Sequence, residues 1–79
     1  MERTAIIEKI HTILKSTLNH ENFTITDELS ATDVDGWDSL THMMIISEVE
    51  KSFGIAFKLK ELNKMRNVGD MIDLIISKI

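Results

Sequence analysis

Cysteine and proline are both absent from this chain of 79 residues. Without cysteine there is no disulfide and no thiolate zinc site to staple a domain this small. Without proline nothing interrupts a long helix. Tyrosine is missing too, and there are only three glycines, three phenylalanines and one tryptophan. The core must therefore be built mainly from aliphatic side chains and methionine. No apolar run approaches the about 20 residues needed to span a bilayer. Met1-Glu2-Arg3-Thr4 reads as a helix start rather than a signal peptide. The expectation is a cytoplasmic protein with no membrane partner. Lysine and arginine number nine against thirteen acidic residues, a formal charge of −4. That balance argues against nucleic acid as the main partner, because phosphate binding needs a basic face. It suits docking to basic protein surfaces.

What is present is enough for one domain, residues 1–79, and a 43% hydrophobic share separates it from disordered chains. Ile6, Ile7, Ile10, Ile13, Leu14 and Leu18 recur at three- and four-residue steps. That spacing predicts an amphipathic helix over roughly 4–18, with Thr4 as its cap. His11 falls toward the solvated side. Residues 19–38 form a long polar connection, with Phe23, Ile25, Leu29 and Val34 as isolated apolar anchors. A connection this long in a compact domain is usually functional.

A second helix is expected over about 39–53. At about 100° per residue, His42, Ile45, Ile46, Val49 and Phe53 share one sector that can face a core. Leu40, Met43 and Met44 lie roughly opposite, so the first half of this helix is apolar on two faces. Either the long connection covers the second face or a partner does. Gly54 is placed as a left-handed cap, with Ile55 and Phe57 turning back inward. Residues 58–66 predict a short helix with Leu59, Leu62 and Met65 inward and a basic outer side. Asn67 caps a last helix, Asp70 stands at its third position, and Val68, Met71, Ile72, Ile75, Ile76 and Ile79 form its stripe.

The most informative stretch is Gly36-Trp37-Asp38-Ser39-Leu40, where the polar connection meets the second helix. Asp38 is a good N-cap, and Ser39 falls at the first helical position. A phosphate-bearing group there would be favoured by the free N–H groups and the helix dipole. Asp33, Asp35 and Asp38 suggest a calcium loop, but its sixth position would be Asp38 and its twelfth Met44. The required glycine and glutamate are missing, so no metal is expected. Asp38, Ser39 and His42 match a hydrolytic triad in composition only. Three groups within five residues of one helix start do not readily give the relay and a separate oxyanion hole, and the phase puts His42 on the core side.

Asp38-Ser39-Leu40 resembles the Asp-Ser-Leu signature of acyl carrier proteins. Glu50-Lys51-Ser52-Phe53-Gly54-Ile55 is similar to that family's Glu-x-x-Phe-Gly-Ile. Asn67-Val68-Gly69-Asp70-Met71 resembles the start of its last helix. The resemblance covers nearly the whole chain. It implies an all-α, acyl-carrier-like four-helix bundle: three longer helices, a short third helix and a long first loop. It implies a stand-alone, monomeric carrier with no catalysis of its own. Ser39 would bear 4′-phosphopantetheine, attached from coenzyme A by a phosphopantetheinyl transferase with Mg²⁺. The arm's thiol would hold acyl intermediates as thioesters for the loading and biosynthetic enzymes of fatty-acid, polyketide or related pathways. The family docks partners through its second helix, which favours the partner-facing reading of Leu40, Met43 and Met44. Asp38, Glu48 and Glu50 join them as candidate docking residues.

Two departures matter. Trp37 replaces the small residue usual in fatty-acid carriers. The segment thus stands between the acyl-carrier pattern and the Gly-Gly-x-Ser-Leu of peptidyl carriers. The third-helix region is also more basic than in typical fatty-acid carriers. An aminoacyl, peptidyl or D-alanyl carrier is one alternative. An unmodified helical adaptor using the methionine patch is another.

Overall fold

The computed structural model describes residues 1–79. Four helices follow one another: α1 (Arg3–Leu18), α2 (Ser39–Phe53), α3 (Leu59–Lys64) and α4 (Val68–Lys78). The expected four-helix architecture, with a short third helix and a long first loop, is the observed one. None of the helices is long and apolar enough to cross a membrane.

α1 begins one residue earlier than expected. Its N-cap is Glu2 rather than Thr4, and no side chain caps it. A four-residue stripe nevertheless buries Ile6, Ile10, Ile13 and Leu14. Asn19 ends the helix in the left-handed region at φ 61°, its N–H donating to the Lys15 carbonyl. α2 runs antiparallel to α1. Lys9 Nζ in the first half of α1 donates to the Ser52 carbonyl at the end of α2, at 3.4 Å, and Ser16 and Thr17 near the end of α1 share a groove with Met44 and Ser47 of α2.

The long connection is not structureless. Ser30-Ala31-Thr32-Asp33 closes a 3-10 turn over Ala31–Asp33, in which Asp33 Oδ2 accepts from both the N–H and the hydroxyl of Ser30. Leu29, Val34 and Trp37 are buried in the core, with Phe23, Ile25 and Ala31 packed against it. The Val68 N–H donates to the Leu29 carbonyl and the Gly69 N–H to the Asp27 carbonyl, both at 2.9 Å. This close approach requires Gly69, since a β-carbon there would meet the Asp27 Cβ and carbonyl oxygen at 3.0 Å. The loop is thus tied across the N-terminus of α4, whose first N–H groups need acceptors.

Three expectations about the core are corrected. Leu59 is 75% exposed, whereas Leu62 and Met65 pack against the core as expected. α3 is only six residues long and Met65 is already its C-cap, so the 59–62–65 spacing is not one helical stripe. Ile76 and Ile79 at the end of α4 are 44% and 51% exposed. Taking Val68 as origin, Ile76 lies about 80° round the helix, at the edge of the stripe, and Ile79 follows the last helical residue. Phe53 is only partly buried: one side packs on the core, while Lys9 Nζ lies 5.1 Å from its ring centroid.

Candidate functional site

Ser39 is the first residue of α2 and is exposed. Its position is fixed by its neighbours on both sides. Asp38 is the N-cap, and its Oδ1 accepts from the Thr41 N–H at 2.9 Å. The Thr41 hydroxyl reaches back and accepts from the Asp38 N–H at 2.8 Å while donating to the Gly36 carbonyl at 2.7 Å. Gly36 is held at φ 83°, a conformation that favours glycine. The reciprocal cap leaves Ser39 and Leu40 with N–H groups that have no acceptor one turn back, as in the first turn of any helix.

The hydrogen bonds from the Thr41 backbone and hydroxyl hold the Asp38 carboxyl below its ordinary value of 3.8. A carboxylate with a depressed pKa stabilises the fold fully above its unfolded value. That contribution is lost as pH falls through the folded value. The native protein should therefore lose stability relative to Asp38→Asn as pH drops below 3.8, because asparagine caps without titrating. Denaturation midpoints of the two proteins against pH make the comparison. Parallel curves would show that the cap is not titrating.

Sequence reasoning gave Trp37 no structural role. It is 7% exposed and lies in the core. Its Nε1–H donates to His42 Nδ1 at 3.0 Å, and the two rings stack with centroids 6.0 Å apart and planes 24° from parallel. His42 is half-buried, and desolvation holds it below the ordinary 6.5. Its inward position follows the expected phase. Its Nδ1 is engaged by the indole rather than by Ser39, so no triad forms. A cavity of about 50 Å³ adjoins the pair, lined also by Ser30, Met65, Arg66 and Asn67.

On the outer face, Leu40, Met43 and Met44 are 72%, 52% and 50% exposed. The long loop does not cover them, because its apolar residues go to the core instead. Glu48 is exposed and pairs with Lys51 at 3.8 Å. Glu50 is half-buried, and its Oε2 accepts from the Phe57 N–H at 2.8 Å. Its carboxylate is committed to the connection between α2 and α3. Asp33 and Asp38 are used as caps, and no three His, Cys, Asp or Glu side chains converge to hold a metal. Lys58, Lys60, Lys64 and Arg66 are exposed and none is in an ion pair. The single acid among them, Glu61, pairs with Lys78 at 3.0 Å and accepts from the Lys58 N–H. The outer side of α3 is cationic on a protein that is acidic overall.

Comparison with known proteins agrees with this geometry. Residues 8–75 match the family model described as a phosphopantetheine attachment site. An acyl carrier protein of Coprothermobacter proteolyticus is 33% identical over the whole chain and is itself 96% covered. One from Thermotoga maritima is 29% identical over 98% of this chain and 95% of its own length. The solution structure of a holo acyl carrier protein from Geobacter metallireducens superimposes with a TM-score of 0.85 at 38% identity. That match covers 92% of this chain and 84% of the other. Family model, relatives and fold all converge on the same assignment: the chain belongs to the acyl carrier protein family, whose members are phosphopantetheine-binding carriers without catalysis of their own.

Proposed function

We propose that Ser39 is the attachment point for 4′-phosphopantetheine, and that the arm's thiol carries acyl units as thioesters between partner enzymes. The observation that carries this reading is the exposed serine at the first position of α2, set there by the Asp38–Thr41 cap. The residues present fit the group. The hydroxyl is open to an incoming enzyme, and the phosphodiester would lie in the positive field of a helix N-terminus. The arm itself supplies the thiol on which the cargo is carried. The protein supplies the nucleophilic oxygen, its placement and the surface that enzymes recognise. Incubation of the chain with coenzyme A, Mg²⁺ and a broad-specificity transferase, followed by intact mass and peptide mapping, tests the reading. A single arm on the peptide containing Ser39 is expected. No arm with several transferases would favour the adaptor reading instead.

Leu40, Met43 and Met44 form the apolar centre of the docking surface in this proposal. Asp38 and Glu48, both exposed, are its candidate charged contacts, whereas Glu50 has less to offer because it is half-buried with its carboxylate turned to the Phe57 N–H. Methionine suits a surface that meets several enzymes in turn. Replacing Met43 and Met44 together with Gln removes side chains that are half exposed, so stability should change by less than about 1 kcal/mol. Arm attachment and loading should slow, since an apolar anchor is lost. A large fall in the denaturation midpoint with an unchanged attachment rate would place the docking face elsewhere. The cationic side of α3 and Trp37 put a dedicated partner set, in secondary metabolism or in lipid or polysaccharide modification, on an equal footing with primary lipid synthesis. The proposed setting is the cytoplasm.

A further inference from the structure

Two consecutive residues in the first turn of α2 hold the incoming loop. Thr41 does so on the outside, through the Gly36 carbonyl and Asp38. His42 does so on the inside, through the Trp37 indole. The two holds differ in kind. The Thr41 hydroxyl does not titrate in the physiological range. The His42 bond exists only in one protonation state, because indole N–H can donate but not accept. Nδ1 accepts from it only while the imidazole is neutral with its hydrogen on Nε2. A second proton, taken from solvent, goes to Nδ1 and sets N–H against N–H. The bond must then break, and the indole N–H of a side chain only 7% exposed loses its partner. Trp37 is separated from Ser39 by one residue.

We propose that the Trp37–His42 pair is a proton-sensitive latch that holds Ser39 in place for modification, closed while His42 is neutral and released when it is protonated. The proposal rests on the reading of Ser39 as the attachment point. The surroundings all favour the closed form. On α2 itself the positive end of the helix is nearby. The nearest acid there, Asp38, has its carboxylate bound to Thr41. From the connection between α3 and α4, Arg66 lines the same cavity, and its backbone N–H donates to the Asp70 carboxylate of α4. From the loop, Asp33 is turned to Ser30. His42 bonds to no carboxylate that would stabilise its cation. Desolvation acts in the same direction. The folded pKa is therefore depressed, so the latch contributes fully above 6.5 and is lost as pH falls through the lower folded value.

Two measurements on the full chain test it. In the first, the His42 ring, the Trp37 indole N–H and the Ser39 amide are followed by NMR over pH about 5 to 8. All three should move with one midpoint below 6.5. Trp37 or Ser39 signals that ignore the His42 titration, or a midpoint above 6.5, would overturn the latch. In the second, the rate of arm attachment is compared between the native chain and His42→Asn. Asparagine offers its side-chain oxygen near the place of Nδ1 and does not titrate. His20, whose ring bonds the Asp35 carbonyl at 2.7 Å, is common to both proteins and cancels in the ratio. The ratio should be near one in mild alkali and fall about fivefold on acidification, the factor a typical hydrogen bond represents. A flat ratio would show that the pair does not position Ser39. If neither protein gains an arm at any pH, the attachment reading fails, and the NMR titration still decides the latch.

Discussion

Ser39→Ala should abolish phosphopantetheine attachment completely while leaving the fold unchanged. The side chain is exposed at the first position of α2, so its removal should alter stability by less than about 0.5 kcal/mol. No other serine can take over. Ser16, Ser47, Ser52 and Ser77 lie within helices, where the N–H groups around them are already bonded within the helix. The Ser77 hydroxyl also donates to the Leu74 carbonyl. Ser30 is engaged with Asp33 and Thr32. Intact mass after transferase treatment reads the result, with a denaturation curve to show that the variant is folded. An arm on Ser39→Ala would mean the attachment point has been misassigned.

Leu14→Ala should remove a large share of the domain's stability. Leu14 is 0% exposed on the buried stripe of α1. Removing such a side chain costs about 2–5 kcal/mol, the spread depending on how far the neighbours collapse. At the usual stability per residue, a chain of this length has only about 4–12 kcal/mol in total. There is no disulfide to fall back on. Leu14→Met keeps the volume and should lose less than about 1.5 kcal/mol. Denaturant midpoints of the two variants separate cavity formation from mere change of side chain. A loss under about 1 kcal/mol for Leu14→Ala would show that α1 does not pack as described.

The long helices were legible because their apolar residues recur with the period of the helix itself. Ile6, Ile10, Ile13 and Leu14 on α1, Ile45, Ile46 and Val49 on α2, and Met71, Ile72 and Ile75 on α4 are all buried as the spacing requires. The caps at Asp38, Gly54 and Asn67 were legible for a related reason, since each depends on a few adjacent backbone groups. Ser39 was legible in the same local way.

The remainder depended on which elements meet. Spacing could not place Leu59, because it describes a helix face and not whether anything lies opposite that face. Ile76 and Ile79 escape the core for another reason, Ile76 lying at the edge of the α4 stripe and Ile79 beyond its last helical residue. Trp37 has no periodic pattern around it, so only the folded loop reveals that its indole faces His42. Whether Met43 and Met44 are covered turned on where the loop's apolar residues go, and that is settled by their packing into the core and by the bonds from Val68 and Gly69 to Leu29 and Asp27. The sequence alone therefore determined the long helices, the caps at Asp38, Gly54 and Asn67 and the position of the serine, all of which rest on interactions within a few residues. Tertiary structure decided which apolar side chains are left for partners and what holds the serine's loop, because both depend on contacts between residues far apart along the chain.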